Sequence, residues 1–248
     1  MKEETEFRPK PMVEVGGLPI LWHIMQIYIY YGFNDFIIAL GYKGNSIKEY
    51  FLNWRTNIND FSIDMATGNT QIYGKNHGDF KMTFVDTGSE TLTGGRILKC
   101  APYIKGEEYM LTYGDGVADI NINKLVSFHH KQETIGTVSG VHTSSRFGLI
   151  DVDRKSGMVR ELRQKPVMRE SISGGFMVFK RESLDYFTNG AMEEGLAKLA
   201  NDGQLSMYLH DGFWRAVDTY NELEQLNHIW EKDRPWAVWE KNDQKRKS

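Results

Sequence analysis

An α/β domain is what this sequence predicts, and three observations carry the prediction. Helical and strand-like periodicities alternate along most of the chain, the pattern that packs helices against a largely parallel sheet. The apolar runs at 36–40, 82–85, 108–113 and 137–141 are too short for helices and rich in β-favouring residues, so they read as buried strands. The third of these stops at Gly114-Asp115-Gly116, which puts a carboxylate at a strand's carboxyl end, where open α/β sheets bind their ligands.

The elements follow in order. Residues 20–31 read as a largely buried helix closed by Gly32 at C′, and 36–40 as the strand after it. Ser46-Ile47-Lys48-Glu49 fits a capping box opening the next helix, with Ile47, Tyr50, Phe51 and Trp54 on its core face. Residues 55–80 are polar and Asn-rich, an excursion from the main sheet. After the strand 82–85, Thr93-Gly94-Gly95-Arg96 stands before a helix that carries Cys100. A helix near 122–132 precedes the strand 137–141, and 149–152, 159–162 and 176–179 read as shorter, partly antiparallel strands. A helix from Glu193 ends at Gly203, and 205–209 is another strand. Helix 219–232 closes the core through Leu223, Leu226, Ile229 and Trp230.

With 248 residues, 40% hydrophobic and 12% aromatic, the chain buries one substantial core, so 1–240 reads as a single domain and 241–248 as a solvated basic tail. A net charge of −3 points to neither nucleic acid nor an anionic membrane as partner. Cys100 is the only cysteine, which excludes an internal disulfide and suits a reducing compartment. The apolar stretch 18–40 is broken by His23, Gln26, Gly32, Asn34 and Asp35, too often for a membrane span. No signal-peptide pattern opens the chain, and a cytoplasmic location is the expectation.

Several residues have the chemistry of a phosphate site. Asp115, flanked by glycines that let an anion approach the backbone, suits a magnesium ligand, or a turn aspartate bonding its own backbone. Lys10 is held between Pro9 and Pro11, a rigid presentation that suits a triphosphate. Arg96 follows two glycines at a helix start, where free amides and a guanidinium converge on an anion, or where a helix simply begins. Lys165 precedes Pro166 at a strand exit, and Gly174-Gly175 leave room for a sugar ring on the peptide plane. Asp218 is a second carboxylate at a strand–helix junction, or that helix's N-cap. Asp151-Val152-Asp153 matches the D-x-D of metal-dependent glycosyltransferases, a third and weaker reading. The adjacent His129 and His130 diverge by about 100° on a helix and do not chelate together. Neither a Walker motif, a G-x-G-x-x-G after a strand, nor a nucleophile elbow is present.

Taken together, residues 9–20, Asp86-Thr87-Gly88, Thr93-Gly94-Gly95-Arg96 and the Asp115 segment resemble the sugar-1-phosphate nucleotidyltransferases over nearly the whole chain. Leu21-Trp22-His23-Ile24-Met25, Gly41-Tyr42-Lys43-Gly44 and Gly212-Phe213-Trp214 resemble the branch that transfers cytidylyl groups to glucose 1-phosphate. The resemblance implies a Rossmann-like fold with a mixed, mostly parallel sheet flanked by helices. It also implies Mg2+, CTP and a hexose 1-phosphate as cofactor and substrates, and a homo-oligomer. By the same resemblance Lys10 contacts phosphate, Thr91 and Arg96 help bind nucleotide, Asp115 and Asp218 hold the metal, Lys165 meets the sugar phosphate, and Gly95, Gly174 and Gly175 belong to the substrate-binding set.

Some features depart from that pattern. The family's first strand and G-G-x-G-T-R phosphate loop have no counterpart ahead of residues 1–5, so a destabilised sheet and weak or absent turnover are expected. Arg8, Gln164 and Ser173 stand where the family has lysine, glutamate and asparagine, the last two facing the sugar. A non-catalytic sugar-nucleotide-binding subunit of the same fold is the competing expectation.

Overall fold

A computed structural model describes residues 8–74, 79–144, 147–164, 166, 168 and 170–240. The expectations for residues 1–5, Lys165 and the tail 241–248 lie outside the described residues. Pro9 is extended and Pro11 sits in the first turn of a 3-10 helix, Lys10–Met12, so the two prolines fix the backbone on either side of Lys10. Next comes a small hairpin, β1 (Glu14–Val15) with β2 (Leu18–Pro19), turning through Gly16 and Gly17 at φ +59° and +80°.

That hairpin delivers the chain into α1 (Ile20–Tyr30), apolar on nearly all sides and therefore central. Ile20, Ile24 and Ile27 share one buried cluster with Val117, Phe176 and Val178, each side chain contributing about 1.5–3 kcal/mol by burial. Gly32, at φ +92°, ends the helix as expected. Strand β3 (Asp35–Leu40) leads to α2 (Gly44–Leu52) and one turn of α3 (Trp54–Asn57). Helix α2 begins earlier than the expected capping box. Gly44 packs directly on Leu40, Lys43 takes a left-handed φ of 56° to allow it, and the Ser46 hydroxyl bonds back to Lys43 O at 2.8 Å.

The excursion is an exposed antiparallel hairpin, β4 (Asp60–Ile63) with β5 (Thr70–Tyr73). Strand β6 (Lys81–Asp86) then returns parallel to β3. Helix α4 (Thr93–Cys100), β7 (Glu108–Thr112), β8 (Gly116–Ala118), α5 (Ile122–Gln132) and β9 (Gly136–Val141) build the centre. A second exposed hairpin, β10 (Leu149–Val152) with β11 (Val159–Arg163), precedes the long β12 (Ile172–Lys180). Helix α6 (Met192–Asn201), β13 (Leu205–His210), β14 (Trp214–Ala216) and α7 (Tyr220–Lys232) complete the fold.

The four-stranded sheet runs β13-β9-β12-β7. Because β12 is antiparallel to both β9 and β7 while β13 is parallel to β9, three strands run one way and β12 alone is reversed. Strands β3 and β6 form a separate parallel pair. Among the described residues, β3 and β7 each have one edge without a partner strand. No described helix is long and apolar enough to cross a membrane.

Candidate active site

The centre of the site is the short antiparallel ladder between β8 and β14, in which Gly116 faces Ala216 and Ala118 faces Trp214. Val217 N donates to Asp115 O at 2.8 Å and extends the ladder by one step. Asp115 and Asp218 therefore leave the same end of it. Lys10 lies between them, with Nζ 2.8 Å from Asp218 Oδ1 and 3.9 Å from Asp115 Oδ2. The approach depends on Gly114, where a Cβ would stand 2.9 Å from Pro11 Cγ. Gly114 thus brings two protein segments together, whereas a Cβ at Gly116 would meet Arg215 O and Ala216 only at ordinary contact distance.

Capping falls to Thr219, not Asp218. Thr219 Oγ1 accepts from Glu222 N at 3.2 Å, and Glu222 Oε2 accepts from Thr219 N and Asp218 N at 2.9 and 2.8 Å. The Asp218 carboxylate turns to Lys10 instead. Burial pushes the Asp115 carboxyl above its usual range, Lys10 draws it back, and the Asp218 charge pushes it up again. The bond to Asp218 raises the Lys10 ammonium, against the opposing effect of burial.

Two carboxylates around one ammonium leave a negative balance, and the pair already gathers a cation. A divalent ion fits this donor set. Among the described residues no group of three or more His, Cys, Asp or Glu is placed to hold a metal, so an ion held here would take the rest of its shell from phosphate and water oxygens, as magnesium sites with one or two carboxylates do.

Arg96 on α4 and Thr91 on the loop after β6 form a second grouping. Arg96 Nη1 donates to Thr87 Oγ1 at 2.6 Å and Nη2 to Ser89 O at 3.2 Å, with the guanidinium lying where a Gly41 Cβ would be. Thr91 Oγ1 donates to Thr87 O at 2.5 Å, and Lys99 Nζ reaches the same oxygen at 2.7 Å. Sequence reasoning missed Lys99; its position one helical turn beyond Arg96 was the available signal. At this helix start Gly94 N bonds Gly190 O and Arg96 N bonds Leu92 O. Gly95 is buried, and a Cβ there would press on Thr91 and Asn189.

Gly174 and Gly175 lie where β12 bulges, between Ser173 and Met177. On its Cβ side each glycine meets protein. A Cβ at Gly174 would stand 2.8 Å from Ser139 Oγ, and Gly175, at φ +80°, lies against the Tyr113 ring. Trp214 Nε1 donates to Gly174 O at 2.7 Å and ties the bulge to the ladder. The D-x-D reading fails on chemistry. Asp153 takes Lys155 N, Ser156 N and Arg160 Nη2 to hold the turn between β10 and β11, and Asp151 faces solvent on that hairpin. His129 and His130 diverge along α5, yet both rings approach Glu108, at 4.0 and 2.8 Å.

A carboxylate pair beside a proline-framed lysine, at the carboxyl end of an α/β sheet, suits a nucleotidyltransferase, and the relatives of this chain are nucleotidyltransferases. No protein-family model matches the chain. It is 43% identical over 244 residues to a probable glucose-1-phosphate cytidylyltransferase of Bacillus subtilis, covering 96% of this chain and 95% of that one. The glucose-1-phosphate cytidylyltransferase of Salmonella typhimurium is 41% identical over 246 residues, with coverage of 97% and 95%. The fold is also that of HddC from Yersinia pseudotuberculosis, at TM-score 0.64 and 19% identity over 90% of each chain. The chain belongs to the glucose-1-phosphate cytidylyltransferase family.

Proposed function

We propose that the protein transfers the cytidylyl group of CTP to α-D-glucose 1-phosphate, releasing pyrophosphate and forming CDP-glucose. A phosphate oxygen of the sugar attacks the α-phosphorus as the bond to pyrophosphate breaks. The attacking phosphate, with a second pKa of about 6, is already an oxyanion, so no strong base is needed. Alignment and charge neutralisation carry the rate.

Lys10 binds the transferring phosphate, and Asp115 and Asp218 hold Mg2+. When bound, the ion neutralises charge on the phosphates. Arg96 and Thr91 shape the nucleotide loop through Thr87, and Gly95 lets that loop close on α4. Gly174 and Gly175 fix the bulge that borders the sugar, and Lys165 meets the sugar phosphate. The apolar side chains exposed on the β4–β5 and β10–β11 hairpins, among them Phe61, Ile63, Ile150 and Leu162, support a homo-oligomer. A cytoplasmic location fits a nucleotide substrate.

The placement of Lys10 between Asp115 and Asp218 carries this reading. Pyrophosphate release from CTP, UTP and dTTP, each with glucose 1-phosphate and Mg2+, tests it. Release with CTP preferred, lost in Asp115→Asn, is expected. Tight CTP binding without release would favour the non-catalytic subunit instead.

A further inference from the structure

The ladder that presents Asp115 and Asp218 at one end is closed at the other by side chains with no part in the proposed chemistry. Asp119 N donates to Phe213 O at 3.1 Å, and Asp119 Oδ1 accepts from Phe213 N at 2.8 Å. His210 Nε2 lies 3.1 Å from the same Oδ1 and 3.2 Å from Phe213 O. Both neighbours are acceptors, so Nε2 is the protonated nitrogen. A Cβ at Gly212 would overlap the Asp119 carboxylate and the His210 ring, so only glycine lets the turn close this tightly.

His210 is the last residue of β13, at the edge of the four-stranded sheet. Its contact with Asp119 therefore ties the far end of the ladder to that sheet. The ladder itself is only three residue pairs long, too short to hold its register unaided. A slip of one residue would send Asp115 or Asp218 to the wrong face. The side chain of His210 is 10% exposed, which shields the bond from water. Burial lowers the imidazole pKa, while Asp119, the Phe213 carbonyl and Asp211 together lift it above the ordinary value. Tyr31 and Tyr208 also lie in this field.

We propose that His210 and Asp119 are positioning residues, whose bond fixes β8 against β14 and so sets how Asp115 and Asp218 meet a divalent cation. The proposal rests on the reading of those two aspartates as metal ligands.

The test compares His210→Phe, which keeps a ring but no donor, with His210→Gln, which returns a donor near the place of Nε2. Mn2+ affinity of the substrate-free chain, followed by electron paramagnetic resonance, is one readout. Amide exchange at Val217 is another, and the Mg2+ half-saturation of pyrophosphate release a third. His210→Phe is expected to weaken Mn2+ binding about tenfold and to speed Val217 exchange, with His210→Gln close to the parent. Asp119→Asn, which keeps the acceptor for Phe213 N but loses the charge, should weaken Mn2+ binding and stands in if the Phe variant does not fold. Parent-like Mn2+ affinity in His210→Phe, or in Asp119→Asn where that variant stands in, overturns the proposal even if the melting temperature falls. Unchanged Mn2+ binding in Asp115→Asn would instead overturn the metal reading itself.

Discussion

Lys10 Nζ donates to Asp218 Oδ1 at 2.8 Å across 208 positions of sequence. The contact joins the 3-10 turn at the start of the described chain to the entrance of α7. The same helix grips the following hairpin through Asn227, whose Oδ1 accepts from Gly16 N at 2.9 Å and whose Nδ2 donates to Glu14 O at 3.2 Å. The lysine is thus held against its carboxylates from two sides.

Replacing Lys10 by Met should lower kcat/KM about 100-fold or more, the scale of losing one charge-stabilising group. Stability should move by less than about 1 kcal/mol, because half-exposed ion pairs contribute little. Steady-state kinetics and urea unfolding on one preparation separate the two effects.

Asp115→Asn should abolish metal-dependent turnover and raise the melting temperature at neutral pH. The folded protein holds the Asp115 carboxyl above its usual pKa, so ionisation costs stability as pH rises through the folded value. The gain in melting temperature should therefore be larger at pH 8 than at pH 4. Equal gains at both would remove the electrostatic explanation.

His23 is fully buried, donating from Nε2 to Val15 O at 2.8 Å and accepting from Trp236 Nε1 at 3.3 Å. Burial pushes its imidazole down to about 4, so the unfolded chain takes up a proton first as pH falls below 6.5. Stability should be complete above pH 6.5 and decline by about 3 kcal/mol towards pH 4. Urea unfolding at several pH values checks this, and His23→Gln should flatten the His23 contribution.

Gly175→Ala should cost about 1–3 kcal/mol with no sugar present, since φ +80° and the Tyr113 ring both oppose a Cβ. A neutral substitution would show that the bulge is looser than drawn.

Hydrogen exchange should find the β3 and β7 amides less protected than those of β12, which is paired on both sides. Equal protection would mean that something covers those two edges.

The sequence made the chemistry legible where a residue's position along a strand decides its role. Asp115 stands out because 108–113 ends at a turn, and Lys10 because two prolines frame it. Alternating helix and strand signals gave the order of the longer elements from α1 to α7, without β4, β5, β8 and β14. What stayed hidden depends on contacts distant in sequence. Gly94, Gly114, Gly174 and Gly175 look like openings for a ligand, yet each accommodates a neighbouring segment of protein. Strands β8 and β14, three residues apiece, carry too little periodicity to be read, although their pairing places both aspartates. The cap at Thr219 did have a local signal, the capping-box pattern Thr219-Tyr220-Asn221-Glu222 one residue beyond Asp218.

The cage around His23 draws on segments more than 200 positions apart. Its ring packs against Trp230, Trp236 and Trp239, while its own segment follows directly on the Lys10 turn. During synthesis the ribosome delivers the lysine more than 200 residues before these tryptophans. The Lys10 turn must wait, unclasped, until α7 emerges, so a nascent chain can assemble its central strands well before the lysine meets Asp218.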